Sequence, residues 1–69
     1  MNTKKRYKAF CAWVRNEISM RKINQTKLAE YLNITQSGLS KRIRGQNEWS
    51  FKEVLEVLEY FETDFEDIL

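Results

Sequence analysis

The sequence predicts a compact all-α domain with five helices, on three observations. Apolar residues recur at helical spacing along most of the chain. Residues typical of helix N-caps stand at the start of several of these apolar segments. Proline is absent, and the helical patterns follow one another closely. Since 69 residues suit one small domain, we expect residues 1–69 to fold as a single unit, with stability that is marginal or helped by a partner.

Composition argues against several classes of protein. The chain has one cysteine, Cys11, and no histidine, so we expect no disulfide and no zinc site, and a reducing, cytoplasmic compartment. A Gly-rich phosphate loop and a Cys/His ligand set are also missing from the sequence, so we expect no enzyme activity, no cofactor and no metal. An apolar run of about 18 residues and a signal-peptide pattern are missing too, and no membrane partner is expected.

The net charge of +2 conceals a strong polarity along the chain. Residues 1–45 hold eleven Lys/Arg against two Glu, a charge of +9, whereas residues 46–69 hold one Lys against eight Asp/Glu, a charge of −7, and the sum is +2. A basic half of this kind is typical of a nucleic-acid binder. The acidic half is expected to face away from the phosphates, although solubility alone also explains it.

The first helix is expected from Tyr7 to Met20. Residues 1–6 before it are strongly basic, and we expect a flexible arm there that either follows DNA or makes no specific contact. The apolar residues of the helix cluster on one stripe: Tyr7, Phe10, Cys11, Val14 and Ile18. Trp13 and Met20 share a flank, where they either cover the edge of the core or belong to an interface.

Two short helices joined by a tight turn are expected next. Asn24 is a good N-cap for the first, with Ile23 and Leu28 spaced around it as a hydrophobic staple. Asn33 stands between the helices and tolerates the left-handed conformation that a helix end often needs. Two helices connected in this way make a helix-turn-helix.

The second of these helices repeats the same signals. Thr35 is its N-cap, with Ile34 before it and Leu39 four residues after it, and Gly45 is placed to end it. At helical spacing Leu39 and Ile43 define a buried stripe. Polar residues lie on the outward side: Ser37, Ser40, Lys41 and Arg44. They can reach bases and phosphates, although any solvated helix is polar outside, and the helix alone favours that simpler explanation.

A capping box predicts the start of the fourth helix. Ser50 and Glu53 form the box, and Trp49 with Val54 supplies the staple. One side of the helix is then expected to face the core: Phe51, Val54, Leu55, Leu58 and Phe61. The acidic residues are expected largely on the solvated side: Glu53, Glu56 and Glu59.

A short fifth helix is expected at the end of the chain. Thr63 or Asp64 would cap it, and its apolar residues are Phe65, Ile68 and Leu69. Three large apolar side chains exceed what one short terminal helix usually hides, so we expect them to form a dimer interface. The alternative is that Phe65 and Ile68 close the core.

The two middle helices resemble the helix-turn-helix of the phage Cro and lambda-type repressors, the XRE-like family. The resemblance rests on residues in both helices and in their turn: Gln25, Leu28, Ala29, Ile34, Thr35, Gln36, Ser37, Leu39, Ser40 and Gly45. It covers residues 10–69 and implies the same five-helix fold. Asn33 stands where the family usually has Gly, Arg42 where many members are apolar, and Ile43 where many are acidic or polar. The last two departures indicate a buried stripe that is slightly rotated.

This resemblance implies a sequence-specific, double-stranded DNA-binding repressor with its third helix in the major groove. Base readout is assigned to Gln36, Ser37 and Lys41, with Ser40 as a further candidate, because Gln suits adenine and Lys suits guanine. Phosphate contacts are assigned to Gln25, Lys27, Arg44, Gln46 and Asn47. Gln25 is also expected to support Gln36. Related repressors pair through the last helix, which implies a homodimer that is weak without DNA.

A second hypothesis is a protein-interaction module of the same fold, such as an antitoxin or a regulator whose main partner is a protein. Some members of this fold family act in that way, through a surface that would here be the Trp13/Met20 flank or the last helix. The chain ends within its last helical pattern, so it is either a whole repressor or the DNA-binding domain of a longer one.

Overall fold

Within the described residues the fold is a bundle of four α-helices. The computed structural model describes residues 3–67, apart from the side chain of Phe65. The helices are α1 (Thr3–Arg21), α2 (Gln25–Leu32), α3 (Gln36–Ile43) and α4 (Phe51–Tyr60), followed by one 3-10 turn, Phe65–Asp67. The all-α class is confirmed, but the count of five helices is not. Within the described residues the predicted fifth helix is only that turn, while Ile68 and Leu69 lie outside them.

The first helix begins earlier than the sequence predicts. Residues 3–6, expected in a flexible arm, continue α1 as regular helix. Lys and Arg are good helix formers, and neither Gly nor Pro interrupts the run, so the helix extends toward the N-terminus. The predicted apolar stripe is confirmed, because Phe10, Val14 and Ile18 are buried, and Tyr7 and Cys11 pack against them partly buried.

The core draws apolar side chains from all four helices and from the segments that flank α4, which supply Trp49 and Phe61. The buried members are Phe10, Val14, Ile18, Leu28, Ala29, Leu32, Leu39, Trp49, Val54, Val57, Leu58 and Phe61. Trp49 and Val54 are both buried, as their predicted staple requires. On the flank of α1, the ring of Trp13 packs edge-on against Phe61 with 5.4 Å between centroids. Trp13 therefore covers the edge of the core.

The fourth helix is rotated relative to its predicted orientation. Phe51 and Leu55, predicted to face the core, are 77% and 49% exposed. Val57, which the prediction omitted, is fully buried, and Glu53, predicted on the solvated side, is only 9% exposed. The stripe that packs is centred on Val54, Val57, Leu58 and Phe61, at spacings of three and four. Trp49 is buried beside the start of α4, and Phe51 in the first turn points away from the core.

The four described helices end in the same backbone arrangement. The residue that turns the chain has a positive φ, between 51° and 81°, at Lys22, Asn33, Gly45 and Glu62. The next amide then donates to a carbonyl five residues earlier, as from Gln46 to Lys41 at 2.8 Å. These are Schellman motifs, which give partners to carbonyls at a helix end. The predicted left-handed ends at Asn33 and Gly45 are thus confirmed.

A hydrogen bond across the bundle ties α1 to the segment before α4. The backbone N–H of Trp49 donates to the hydroxyl of Tyr7 at 2.8 Å, and the ring of Phe10 meets the Trp49 ring edge-on at 6.0 Å. These two contacts therefore hold α1 against the segment that leads into α4. No helix in the described part of the chain combines the length and the apolar character needed to cross a bilayer.

Candidate nucleic-acid interface

The two middle helices adopt the predicted helix-turn-helix. Both predicted caps are formed: the side chain of Asn24 accepts from the amide of Lys27 at 3.2 Å, and the hydroxyl of Thr35 accepts from the amide of Gly38 at 2.9 Å. Asn33 turns the chain with φ 58° and ψ 42°. Since each side-chain acceptor serves an amide that the helix itself leaves without a partner, both helices start where the sequence predicts.

The inner faces of α2 and α3 hold the motif in one orientation. Leu28, Ala29 and Leu32 on α2 and Leu39 on α3 are 0–4% exposed. Ile43 packs against the same core while partly buried. Close packing of these side chains keeps the inner face of α3 against the core, so the side chains of its other face point outward.

The outward face of α3 carries the residues predicted for base readout. Ser37 and Lys41 are exposed, and Ser40 is half-buried between them and Leu39. Arg44, the residue after α3, is also exposed. The predicted division of the helix into an apolar inner face and a polar outer face is therefore present, with hydroxyl and ammonium donors along one side.

Gln36, also assigned to base readout, is exposed at the first position of α3. Its side-chain amide donates to the hydroxyl of Thr26 on α2. The predicted support from Gln25 is thus replaced by Thr26, because Thr26, and not Gln25, makes the hydrogen bond. This bond spans ten residues, and no local pattern in the sequence indicates it.

The residues assigned to phosphates lie at two helix ends. Gln25 and Lys27 are exposed in the first turn of α2, which contains no acidic residue. Gln46 and Asn47 are exposed after α3, and their amides donate to the carbonyl of Lys41 at 2.8 and 3.3 Å. The positive end of the α2 dipole is suited to contacts with anionic oxygens, and the side-chain amides of Gln46 and Asn47 can donate to such oxygens from a backbone held by these bonds.

An ion pair that the sequence analysis missed joins α3 to α4. Arg42 Nε donates to Glu53 Oε1 at 2.8 Å, and Nη2 donates to Oε2 at 3.0 Å. Arg42 Nη1 donates to the carbonyl of Gly38 at 2.9 Å. The sequence carried one indication of it, because Arg42 departs from the apolar residue that the family resemblance implies for many members at this position. Its partner was hidden because Glu53 was expected on the solvated face.

The environment of Glu53 keeps its carboxyl ionised. Burial alone would raise its pKa, but the hydrogen bonds from Arg42 and from the amide of Ser50, together with the guanidinium charge, outweigh the effect of burial, so the pKa is lowered.

Gly38 leaves room for the Arg42 side chain. A Cβ added there would lie 3.1 Å from Arg42 Nη1 and from Thr35 Oγ1.

Comparison with known proteins agrees with this geometry. A family model described as helix-turn-helix matches residues 14–68, more than half of the chain. No curated protein and no solved structure gave a significant match.

Proposed function

Because the chain belongs to the XRE-like, lambda-repressor-type helix-turn-helix family, we propose that it is a sequence-specific repressor of the phage type, binding double-stranded DNA. Proteins of this family are DNA-binding regulators of transcription. The observation that carries the proposal is the packed α2–α3 unit, whose second helix exposes Ser37 and Lys41 on the side opposite buried Leu39. The major groove of B-DNA accepts a helix of this kind.

In the proposed complex, α3 lies in the major groove with its N-terminal residues on base edges. Gln36, Ser37 and Lys41 read bases, with Ser40 as a further contact. The role of Gln36 is supported because its side chain is exposed and Thr26 engages only one of its amide hydrogens, which leaves the second hydrogen and the carbonyl oxygen for a base edge. The backbone is held by Gln25, Lys27, Arg44, Gln46 and Asn47. No enzyme chemistry is part of the proposal, and the cytoplasmic location stays a prediction.

The proposal also includes a weak homodimer on DNA. The residues predicted for its interface fall outside what the structure describes, entirely for Ile68 and Leu69 and in its side chain for Phe65. Two copies would read half-sites about 34–36 Å apart. Phe65→Glu should then prevent pairing, which analytical ultracentrifugation with and without DNA measures. A strict monomer that binds its site undiminished would contradict the dimer, and an unfolded variant would show that Phe65 closes the core.

The experiment that tests the function separates base reading from phosphate binding. Lys41→Ala should relax the preference at one base pair, by about 1–3 kcal/mol for a good base contact. Arg44→Ala should weaken binding to all sequences alike and reduce the slope of log affinity against log salt by about one unit. Each variant is titrated against matched and mismatched sites, selected from random DNA, at several salt concentrations. The reverse pattern would show that α3 lies in a different pose.

A protein-interaction module is the second candidate, and three exposed apolar side chains favour it. Phe51 and Leu55 lie one turn apart on α4, 77% and 49% exposed, and Met20 on α1 is 70% exposed. Exposed apolar surface often marks a protein interface. A gel-shift with DNA from upstream of the protein's own gene separates the two, since an antitoxin or regulator acting mainly through a protein need not bind there.

A further inference from the structure

Few side chains of α3 are buried. This helix has eight residues, about two turns, and a helix so short is not stable alone in water. Its one fully buried side chain is Leu39, and Ile43 is only partly buried. An apolar contact at one side chain fixes position better than direction, because apolar contacts are not directional. At the N-terminal end of α3 a directional contact is supplied by Gln36, which donates to Thr26, and a second one toward the C-terminal end would fix the angle of the helix.

Arg42 supplies a constraint with directional geometry. Three of its nitrogens are engaged: Nε and Nη2 with the two oxygens of Glu53, at 2.8 and 3.0 Å, and Nη1 with the carbonyl of Gly38, at 2.9 Å. A planar guanidinium held at both ends fixes an angle as well as a distance. The side chains of Arg42 and Glu53 are only 18% and 12% exposed, so water competes weakly for these bonds.

The far end of the pair is itself anchored. Glu53 Oε1 also accepts from the amide of Ser50 at 3.0 Å, and the amide of Glu53 donates to Ser50 Oγ at 3.2 Å. The carboxylate is thus part of the N-terminus of α4 and is not held by Arg42 alone. Between the two partners lies the segment 44–49, which contains the proposed phosphate contacts after α3. The ion pair closes this segment into a short loop of fixed geometry.

We propose that Arg42 and Glu53 form a positioning pair that sets the pose of α3 in the DNA groove, although neither residue contacts a base. The inference rests on the proposed function, because it concerns how the same helix reads DNA. It assigns a role in specificity to Glu53, an acidic residue on a helix that carries none of the proposed DNA contacts.

One charge-changing variant, Glu53→Gln, distinguishes a positioning role of Glu53 from a purely electrostatic effect on DNA binding. Glu53→Gln removes a negative charge and raises the net charge from +2 to +3. Electrostatics alone predicts tighter binding to every DNA, because the phosphates dominate affinity. Loss of positioning predicts weaker binding to the preferred site and a smaller difference in affinity between the preferred site and other sites. Gln at this position also completes a capping box, so the start of α4 is kept.

The test measures affinity for a matched and a mismatched DNA site, both taken from a selection with the wild-type chain. Glu53→Gln should lower the ratio of the two affinities about tenfold, the worth of one good base contact. Arg42→Lys should lower the ratio similarly without changing the charge, because a point charge replaces the fork. Glu56→Gln is the matched control, since it makes the same charge change on the same helix, and its ratio should stay at the wild-type value.

All titrations are run below the melting temperature of the least stable variant, so that only folded protein is compared. If Glu53→Gln behaves like Glu56→Gln, with an unchanged ratio and equal or tighter binding, the positioning role is overturned. An unchanged ratio for Arg42→Lys overturns it independently. A wild-type chain that shows no preference among DNA sites would instead refute the proposed function, and this result is distinct from both.

Discussion

Replacing Glu53 by alanine should destabilise the fold more than any other change of a charged side chain in the described residues. Three hydrogen bonds end on its carboxylate, two from Arg42 at 2.8 and 3.0 Å and one from the amide of Ser50 at 3.0 Å. Breaking a buried pair leaves an unpaired charge and costs about 3–5 kcal/mol. Because the two side chains keep 18% and 12% exposure, we expect the lower end, about 3 kcal/mol.

Ser50→Ala is the comparison that separates the contribution of the ion pair from that of the helix cap. It removes the acceptor for the amide of Glu53 but leaves the ion pair and the bond to the amide of Ser50 in place. Such a cap is worth about 1 kcal/mol. A domain of 69 residues has a total stability of about 3–10 kcal/mol, so Ser50→Ala should lower its midpoint moderately, whereas Glu53→Ala should remove a large part of its stability.

Urea denaturation followed by far-UV circular dichroism measures both changes as free energies of unfolding. Glu56→Ala is the control for altering an acidic residue of α4, and it should stay within about 0.5 kcal/mol of wild type. A cost for Glu53→Ala no greater than that for Ser50→Ala would refute the reasoning, since the ion pair would then add nothing to the cap. An unchanged midpoint for Ser50→Ala would show that the capping box does not determine where α4 begins.

Three further predictions concern acid, a turn and the surface. The pKa of Glu53 is lowered in the folded state, so its contribution to stability is present above the unfolded pKa of about 4.3 and is lost as pH falls through the lower folded pKa. The melting temperatures of wild type and Glu53→Gln should therefore converge in acid. Gly45→Ala should destabilise the fold by about 1 kcal/mol, because φ is 81° and a side chain is strained there. An added Cβ meets nothing within 4 Å, so no steric clash adds to this cost. Calorimetry should show the melting temperature lowered by roughly 5 °C. Phe51→Ser should change the free energy of unfolding by less than about 0.5 kcal/mol, as its 77% exposure requires, whereas a core Phe would cost about 3 kcal/mol or more.

The features that the sequence predicted correctly are those encoded within a few residues. Asn24, Thr35 and Ser50 each act on an amide three residues later, so the start of three helices can be read locally. The outward face of α3 follows from helical periodicity alone once Leu39 is placed inside. The family resemblance added the order and the packing of these elements.

The features that were missed depend on contacts between distant residues. The rotation of α4 buries Val57 and Glu53 and exposes Phe51 and Leu55, and it depends on how α4 meets the other helices. Periodicity gives a stripe but leaves its centre uncertain when apolar residues are numerous, and Val57 was overlooked for that reason. The bonds from Gln36 to Thr26 and from Arg42 to Glu53 span ten and eleven residues, beyond any local rule.

The hydrogen bond between Tyr7 and Trp49 bears on how much of the chain must be synthesised before the domain can fold. A nascent chain that has emerged as far as Gly45 already contains α2 and α3. It lacks Trp49, whose backbone N–H donates to Tyr7 and whose ring packs against Phe10, and it lacks the side chains of Val57 and Phe61 that complete the core. Without them the two short helices have too little apolar surface to stay folded. We therefore expect an incomplete translation product that ends there not to form a stable helix-turn-helix.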